Sequence, residues 1–302
     1  MKKSLHRVSR LALLCAAFMA ASSVYAEDIA VTDDTGAPVR LRAPAARIVS
    51  LAPHATELLF AAGAGERIVG VVDFSNYPEA AKKLRHVGSS KRFDLEAVIA
   101  LKPDLVVGWQ GGNNPASLEK LAALGIAVYL SNPRKLPDIS ANIRAFGRLA
   151  GSGDKAASSA DAFDRRLAAL RAAYSTRPAV RVFYEVWNQP LTTIGGQQII
   201  SEALATCGGD NIFSGLKLEA PVVSLEAVLA ADPEAIVASG MDEERPEWLS
   251  DWKRWPALTA VRRDNLFFVP PDLMQRATPR LLDGVEQLCG RLETARSHRS
   301  RP

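Results

Sequence analysis

Asp94-Leu95-Glu96-Ala97-Val98-Ile99-Ala100-Leu101-Lys102-Pro103-Asp104-Leu105-Val106-Val107 is answered later in the chain by Ser224-Leu225-Glu226-Ala227-Val228-Leu229-Ala230-Ala231-Asp232-Pro233-Glu234-Ala235-Ile236-Val237. Each copy opens on a polar residue suited to cap a helix. A short helix follows, with a glutamate in its first turn, where negative charge is favoured. A proline then stops the helix, and an apolar run reads as a buried strand. A fainter echo pairs Thr56-Glu57-Leu58-Leu59, running to Gly63, with Ser201-Glu202-Ala203-Leu204, running to Gly208. A chain that repeats a helix-to-strand unit in both halves builds two similar lobes. The cleft between two lobes is a common place for a small ligand.

Outward from these echoes, helices and apolar strands alternate. Arg47 to Leu51, Ile68 to Val72, Leu105 to Trp109 and Ala127 to Leu130 read as strands, and Ala55 to Ala62, Leu95 to Leu101 and Ser117 to Leu124 as helices. The rhythm predicts βαβ units with a parallel sheet covered by helices. A helix over Pro137 to Leu149 ends at Gly151-Ser152-Gly153, and Asp154 then caps a helix reaching Tyr174, stopped by Pro178. That helix, on the order of 30 Å long, is a stiff strut. The second half restarts with a strand at Val180 to Val186. It continues through helices at Ile199 to Thr206, Leu225 to Ala231 and Pro246 to Trp252, strands at Ala235 to Ala238 and Leu266 to Val269, and a final helix from Arg280 to Glu293. The fold class is α/β: two Rossmann-like lobes with parallel sheets, at residues 27–150 and 179–294, joined by one long backbone helix within 151–178.

Residues 1–26 read as an export signal. Lys2, Lys3, Arg7 and Arg10 make a basic start, Leu11 to Ala21 is an apolar run too short to span a membrane, and Val24-Tyr25-Ala26 fits a cleavage site. Cys15 follows Leu14, where lipid attachment would want a smaller residue. The chain has 37 basic and 33 acidic residues, and the leader holds four of the basic ones and no acidic one, so the remainder is neutral. No concentrated basic face points to nucleic acid. The end, Arg296-Ser297-His298-Arg299-Ser300-Arg301, is expected as a disordered basic tail within residues 295–302. Cys207 and Cys289 remain after export to an oxidising compartment and are expected to pair, with two buried free thiols as the alternative. A loop of that length would stabilise the fold by roughly 4–5 kcal/mol.

Arg47-Ile48-Val49-Ser50-Leu51-Ala52-Pro53, Ala100-Leu101-Lys102-Pro103-Asp104-Leu105-Val106, Cys207-Gly208-Gly209-Asp210-Asn211-Ile212-Phe213, the leader and the long helix together resemble class III periplasmic binding proteins of ABC importers, and within them the cobalamin-binding members. The resemblance covers about Arg47 to Leu292. It implies a soluble, monomeric protein of the periplasm whose ligand is cobalamin or a related corrinoid and whose partner is an inner-membrane permease dimer. No cofactor and no resident metal are implied. It implies ligand contacts at Tyr77, Trp109, Asp272, Met274 and Arg276. The residues themselves add Gln110, Gly111 and Asn113, on a glycine loop after the Trp109 strand that can approach a ligand closely, and Trp187 with Asn188 after the strand across the cleft, the amides suiting the amide fringe of a corrin ring. It also implies that Glu96 and Glu226, the glutamates of the internal repeat, dock into arginine pockets of the permease. Two equivalent carboxylates suit two equivalent permease subunits, and arginine grips carboxylate bidentately. The bland reading of both is first-turn helix stabilisation.

The pattern is not complete. Ser90 and Ala220 stand where the family has tryptophans, Trp187 sits one residue after a family phenylalanine position held here by Val186, and Lys91 and Arg92 add positive charge near the expected mouth. An anionic iron chelate or haem, held by Lys91, Arg92 and Arg276, is therefore the second reading. Outside the leader and tail the histidines are His54 and His86, too few for a zinc or manganese receptor. His54 with Glu57, one helical turn apart, reads as helix-start packing or cleft lining rather than an acid–base pair, and an enzyme would rest on the cleft alone. Trp248, Trp252 and Trp255 are read as core, with a permease-facing patch as the lesser reading.

Overall fold

Ile48 to Ser50, buried at every position, sits at the centre of the first sheet in a computed structural model that describes residues 28–240 and 246–300. The leader and its cleavage site lie outside the described residues. A short antiparallel hairpin, β1 (Ile29–Thr32) with β2 (Pro38–Leu41), comes first and has no counterpart in the sequence reading. The first lobe then runs β3 (Ile48–Ser50), α1 (Pro53–Ala61), β4 (Ile68–Val71), α2 (Leu95–Ala100), β5 (Leu105–Trp109), α3 (Pro115–Ala123), β6 (Ala127–Ser131) and α4 (Leu136–Ala150). Its four strands are parallel, in the order β4-β3-β5-β6.

Helix α5 (Gly153–Tyr174) has 22 residues and packs on α4. The second lobe runs β7 (Val180–Glu185), the hairpin β8 (Trp187–Asn188) with β9 (Leu191–Thr192), α6 (Ile199–Thr206), β10 (Gly209–Asn211), α7 (Leu225–Ala231), β11 (Ala235–Ala238), α8 (Thr259–Arg262), β12 (Leu266–Phe268), α9 (Pro271–Met274) and α10 (Leu281–Ser297). Its sheet is parallel, in the order β10-β7-β11-β12. In each lobe the first strand is flanked by the second on one side and by the third and fourth on the other, so the two sheets share one topology.

The echoes in the sequence fall on equivalent elements of these sheets. Asp94 caps α2 by accepting from the amide of Ala97, and Ser224 caps α7 by accepting from the amide of Ala227. Both helices end at a residue in the left-handed region, Lys102 at φ 47° and Asp232 at φ 41°, each followed by the proline that forbids continuation. One apolar core spans both lobes, joining Leu58, Phe146 and Phe163 to Tyr184, Leu204 and Leu288. Tryptophan side chains form part of a smaller cluster in the second lobe. Trp252 is buried against Phe183, and Trp255 leans on it at 5.5 Å, which agrees with the core reading. That segment, Glu247–Arg254, is a 3-10 helix rather than an α-helix.

The expected free tail is ordered as far as Ser300. Helix α10 continues to Ser297 and His298–Ser300 turn on as a 3-10 helix. The basic side chains find acceptors: Arg296 donates to the carbonyls of Cys207 and Pro178, and Arg299 pairs with Glu234 at 2.8 Å, while His298 is buried. A sequence of charges looked solvated because its partners lie far away along the chain.

A cleft between two sheets

The two parallel sheets present the ends of their strands to a shared cleft, where α/β proteins place their ligands. The half-open pocket within it measures about 220 Å³. The first lobe lines it with Pro53 and His54 at the start of α1, Trp109 at the end of β5, and Asn132, Pro133 and Arg134 after β6. The second lobe contributes Gln197, Gln198, Ile199, Glu219, Gln275, Arg276 and Ala277. Both cleft arginines are already engaged. Arg276 lies 3.2 Å from Glu57 and 3.1 Å from Asp272 and donates to the Asn76 side chain at 2.7 Å, while Arg134 lies 3.6 Å from Glu219.

Trp109 is held out into this space by its own loop. Its backbone N–H donates to Asn113 Oδ1 at 2.6 Å, and the Asn113 amide donates in turn to the carbonyls of Leu51 (2.9 Å) and Ser90 (2.7 Å). Gly112 lets the loop fold under the indole, because a β-carbon there would lie 1.9 Å from the ring. Tyr77 borders a neighbouring hollow beside Glu57, its ring covered by the Arg280 guanidinium at 4.0 Å.

The structure therefore brings Trp109 and Arg276 together in the cleft and sorts the other candidates differently. Asn113 is buried and bonded to backbone, so it shapes the loop rather than facing a ligand. Met274 is fully buried against Gly284, an apolar side chain taken into the core. Asp272 meets Arg276. Gln110 and Gly111 are exposed on the loop, Gly111 at φ 84°, and Gln110 accepts from Asn132. Trp187 is exposed on its hairpin and donates to the carbonyl of Gln189, and Asn188 lines a different hollow beside Trp248. Among the described residues no group of His, Cys, Asp and Glu is arranged to hold a metal ion. The residues that sequence reasoning missed, Asn132, Gln197, Gln198 and Gln275, follow strand or loop signals (Ser131-Asn132-Pro133 and Gly195-Gly196) that mark strand ends without saying which way the side chains turn.

A model of the family described as "Periplasmic binding protein" matches residues 48–273. The chain belongs to that family. It is a binding protein, not an enzyme. The vitamin B12-binding protein of Vibrio cholerae serotype O1 is 38% identical over 253 residues, which cover 83% of this chain and 91% of that one. The crystal structure of the periplasmic vitamin B12-binding protein of Vibrio cholerae matches with a TM-score of 0.77 at 37% identity, covering 84% of this chain and 98% of that one. A periplasmic haem-binding protein from Pseudomonas aeruginosa matches with a TM-score of 0.71 at 26% identity, covering 82% and 92%.

The hollow beside Asn188 contains a buried acid that the cleft does not use. Glu185, at the end of β7, accepts from Trp252 Nε1 at 2.7 Å. Burial pushes its pKa up from 4.5 to about 8, against the Trp252 hydrogen bond. The folded state therefore keeps a proton that the unfolded chain loses above 4.5, so this group's contribution to stability falls as pH rises from about 4.5 to about 8. Glu185→Gln keeps the acceptor and removes the titration. Urea midpoints measured across that range are expected to fall less steeply for the variant than for the natural chain.

Proposed function

We propose that this chain captures cobalamin or a related corrinoid in the cleft and delivers it to the permease of an inner-membrane ABC importer. The observation that carries the ligand class is the chemistry of the cleft wall. An indole face at Trp109, the amide of Gln197, the side-chain oxygens of Asn132 and Gln275 and the side-chain nitrogen of Gln198 suit a flat macrocycle fringed with amides, the other ends of the last three being bonded within the protein. The named relatives support the same class. The anionic iron chelate or haem reading has the weaker support. Arg276 and Arg134 are balanced by carboxylates, and Lys91 and Arg92 are exposed and do not line the cleft. Titrating the purified protein with cyanocobalamin should quench tryptophan fluorescence and carry the pink ligand through gel filtration. Absence of both at micromolar ligand overturns the reading.

Docking is the second part of the proposal. Glu96 and Glu226 are exposed in the first turns of α2 and α7, and neither carboxylate enters an ion pair among the described residues. Equivalent positions in lobes of one topology support a reading in which the two charges meet two equivalent permease subunits. The chain acts as a monomer in the periplasm after its leader is cleaved near Ala26. Glu96→Ala combined with Glu226→Ala is expected to leave corrinoid affinity within a factor of about two while abolishing uptake by cells. Uptake at the normal rate would remove the docking assignment.

A further inference from the structure

His54 stands in the cleft wall as a neutral imidazole with one committed nitrogen. The hydrogen bonds behind it settle which one. Asn142 Nδ2 donates to the Asp34 carboxylate (2.8 Å) and to the Asp138 carbonyl (3.1 Å), so Asn142 Oδ1 is its acceptor. Ser131 Oγ gives its single proton to that Oδ1 at 2.9 Å. Toward His54, at 3.2 Å from Nε2, the serine oxygen can then only accept. The ring proton is therefore on Nε2 and the lone pair is on Nδ1. Buried side-chain polar atoms without a partner, among the described residues, are Tyr184 Oη and Thr278 Oγ1. Nδ1 is not one of them, and it makes no hydrogen bond, so it opens on the cleft that the ring lines. Trp109 meets the imidazole edge-on at 5.7 Å and limits its rotation, and the residue is only 8% exposed.

A histidine whose second nitrogen donates to a fixed oxygen, which orients the ring and directs the other lone pair outward, has the arrangement that metal-binding histidines use. Burial, and then the charge of Arg276, lower its pKa to about 4, so at neutral pH no proton competes for that lone pair. We infer that His54 is an axial ligand to the cargo's metal: Nδ1 binds cobalt in a corrinoid that carries an exchangeable water on that face. The inference rests on the corrinoid reading above. One Co–N bond forms, one Co–O bond breaks, the water leaves, and cobalt keeps its oxidation state. Corrinoids that lack the nucleotide base, or that carry water on the upper face, are the forms this contact favours. It adds a directional bond to a site otherwise built from faces and amides.

Two probes separate the contact from the site. Diaquacobinamide has replaceable waters, whereas dicyanocobinamide in excess cyanide has both axial positions blocked. With the natural chain, bound diaquacobinamide should show a red shift of its corrin bands. Bound cob(II)inamide should show a triplet splitting from one nitrogen nucleus in its electron paramagnetic resonance spectrum. His54→Gln keeps a donor toward Ser131 and loses the imidazole. It should abolish both signatures and weaken diaquacobinamide at least tenfold more than dicyanocobinamide, with His54→Ala as a second variant. Binding of both probes with the diaqua spectrum retained, or a shift that survives in His54→Gln, overturns the ligation alone. Failure of the natural chain to bind either probe overturns the corrinoid reading and the ligation with it.

Discussion

Glu57→Ala is expected to cost about 3–5 kcal/mol of stability, the usual result of removing one partner from a buried ion pair. Glu57 has 2% of its side chain exposed, and it answers two guanidiniums at once. Arg280 donates to both its oxygens, at 2.9 and 2.7 Å, and Arg276 lies at 3.2 Å. Arg276 is 14% and Arg280 18% exposed, so alanine would strand the Arg280 charge with little water to solvate it and leave Arg276 to Asp272 alone. Burial opposes the charge on Arg280, yet the Glu57 hydrogen bonds hold its pKa above the ordinary value. The glutamate is on α1 and both arginines flank the start of α10, so the cluster fastens one lobe to the other. Its equivalent in the second lobe provides a control. Glu202, in the matching helix α6, reaches back to accept from the amide of Leu136 at 2.7 Å and to pair with Arg171 at 2.6 Å. It is 29% exposed and its arginine 41%, so solvent screens the pair, and Glu202→Ala should cost distinctly less. Thermal unfolding of the two variants checks the order. The Glu57 variant should melt roughly 10 °C below the natural chain, at 2–4 °C per kcal/mol for a domain of this size. Equal shifts would mean that the buried cluster contributes no more than a surface pair.

The architecture was legible because it rests on periodicity and punctuation. Strands buried on both faces show as continuous apolar runs, and Gly63, Gly151 and Pro103 mark helix ends. Ile199–Thr206, Leu225–Ala231 and Ala235–Ala238 fall at the predicted bounds for this reason. The β1–β2 hairpin was not legible, since four-residue strands with half-exposed faces have no run to detect. The cleft was read only in part. Its location follows from the topology, and Trp109 from its place at a strand end. Which polar side chains turn inward is decided by tertiary hydrogen bonds, and these separate Asn113, tied to Leu51 and Ser90, from Asn132, which lines the cleft. The role of Glu57 needed partners more than 200 residues away, at separations of 219 and 223. No local pattern carries that information.

Removing the disulfide is expected to cost about 4–5 kcal/mol, and the denaturant slope identifies the cause. Cys207 and Cys289 are bonded across a separation of 82 residues, both fully buried, tying the end of α6 to α10. In the chain-entropy model the cross-link acts on the unfolded state, which loses the freedom of a closed loop. A cross-linked unfolded chain is also more compact and exposes less surface. Cys207→Ala with Cys289→Ala should therefore lower the urea midpoint and raise the slope m together, because m follows the surface exposed on unfolding. If the cost came only from the void left by two sulfur atoms in a packed core, the midpoint would fall while m stayed constant. The cleft-side ends of the strands lie outside the bonded pair, so the double variant should still bind cyanocobalamin. Saturating ligand should then restore stability by RT ln(1 + [L]/Kd), about 2.7 kcal/mol at a hundredfold excess over Kd. That restoration is smaller than the loss.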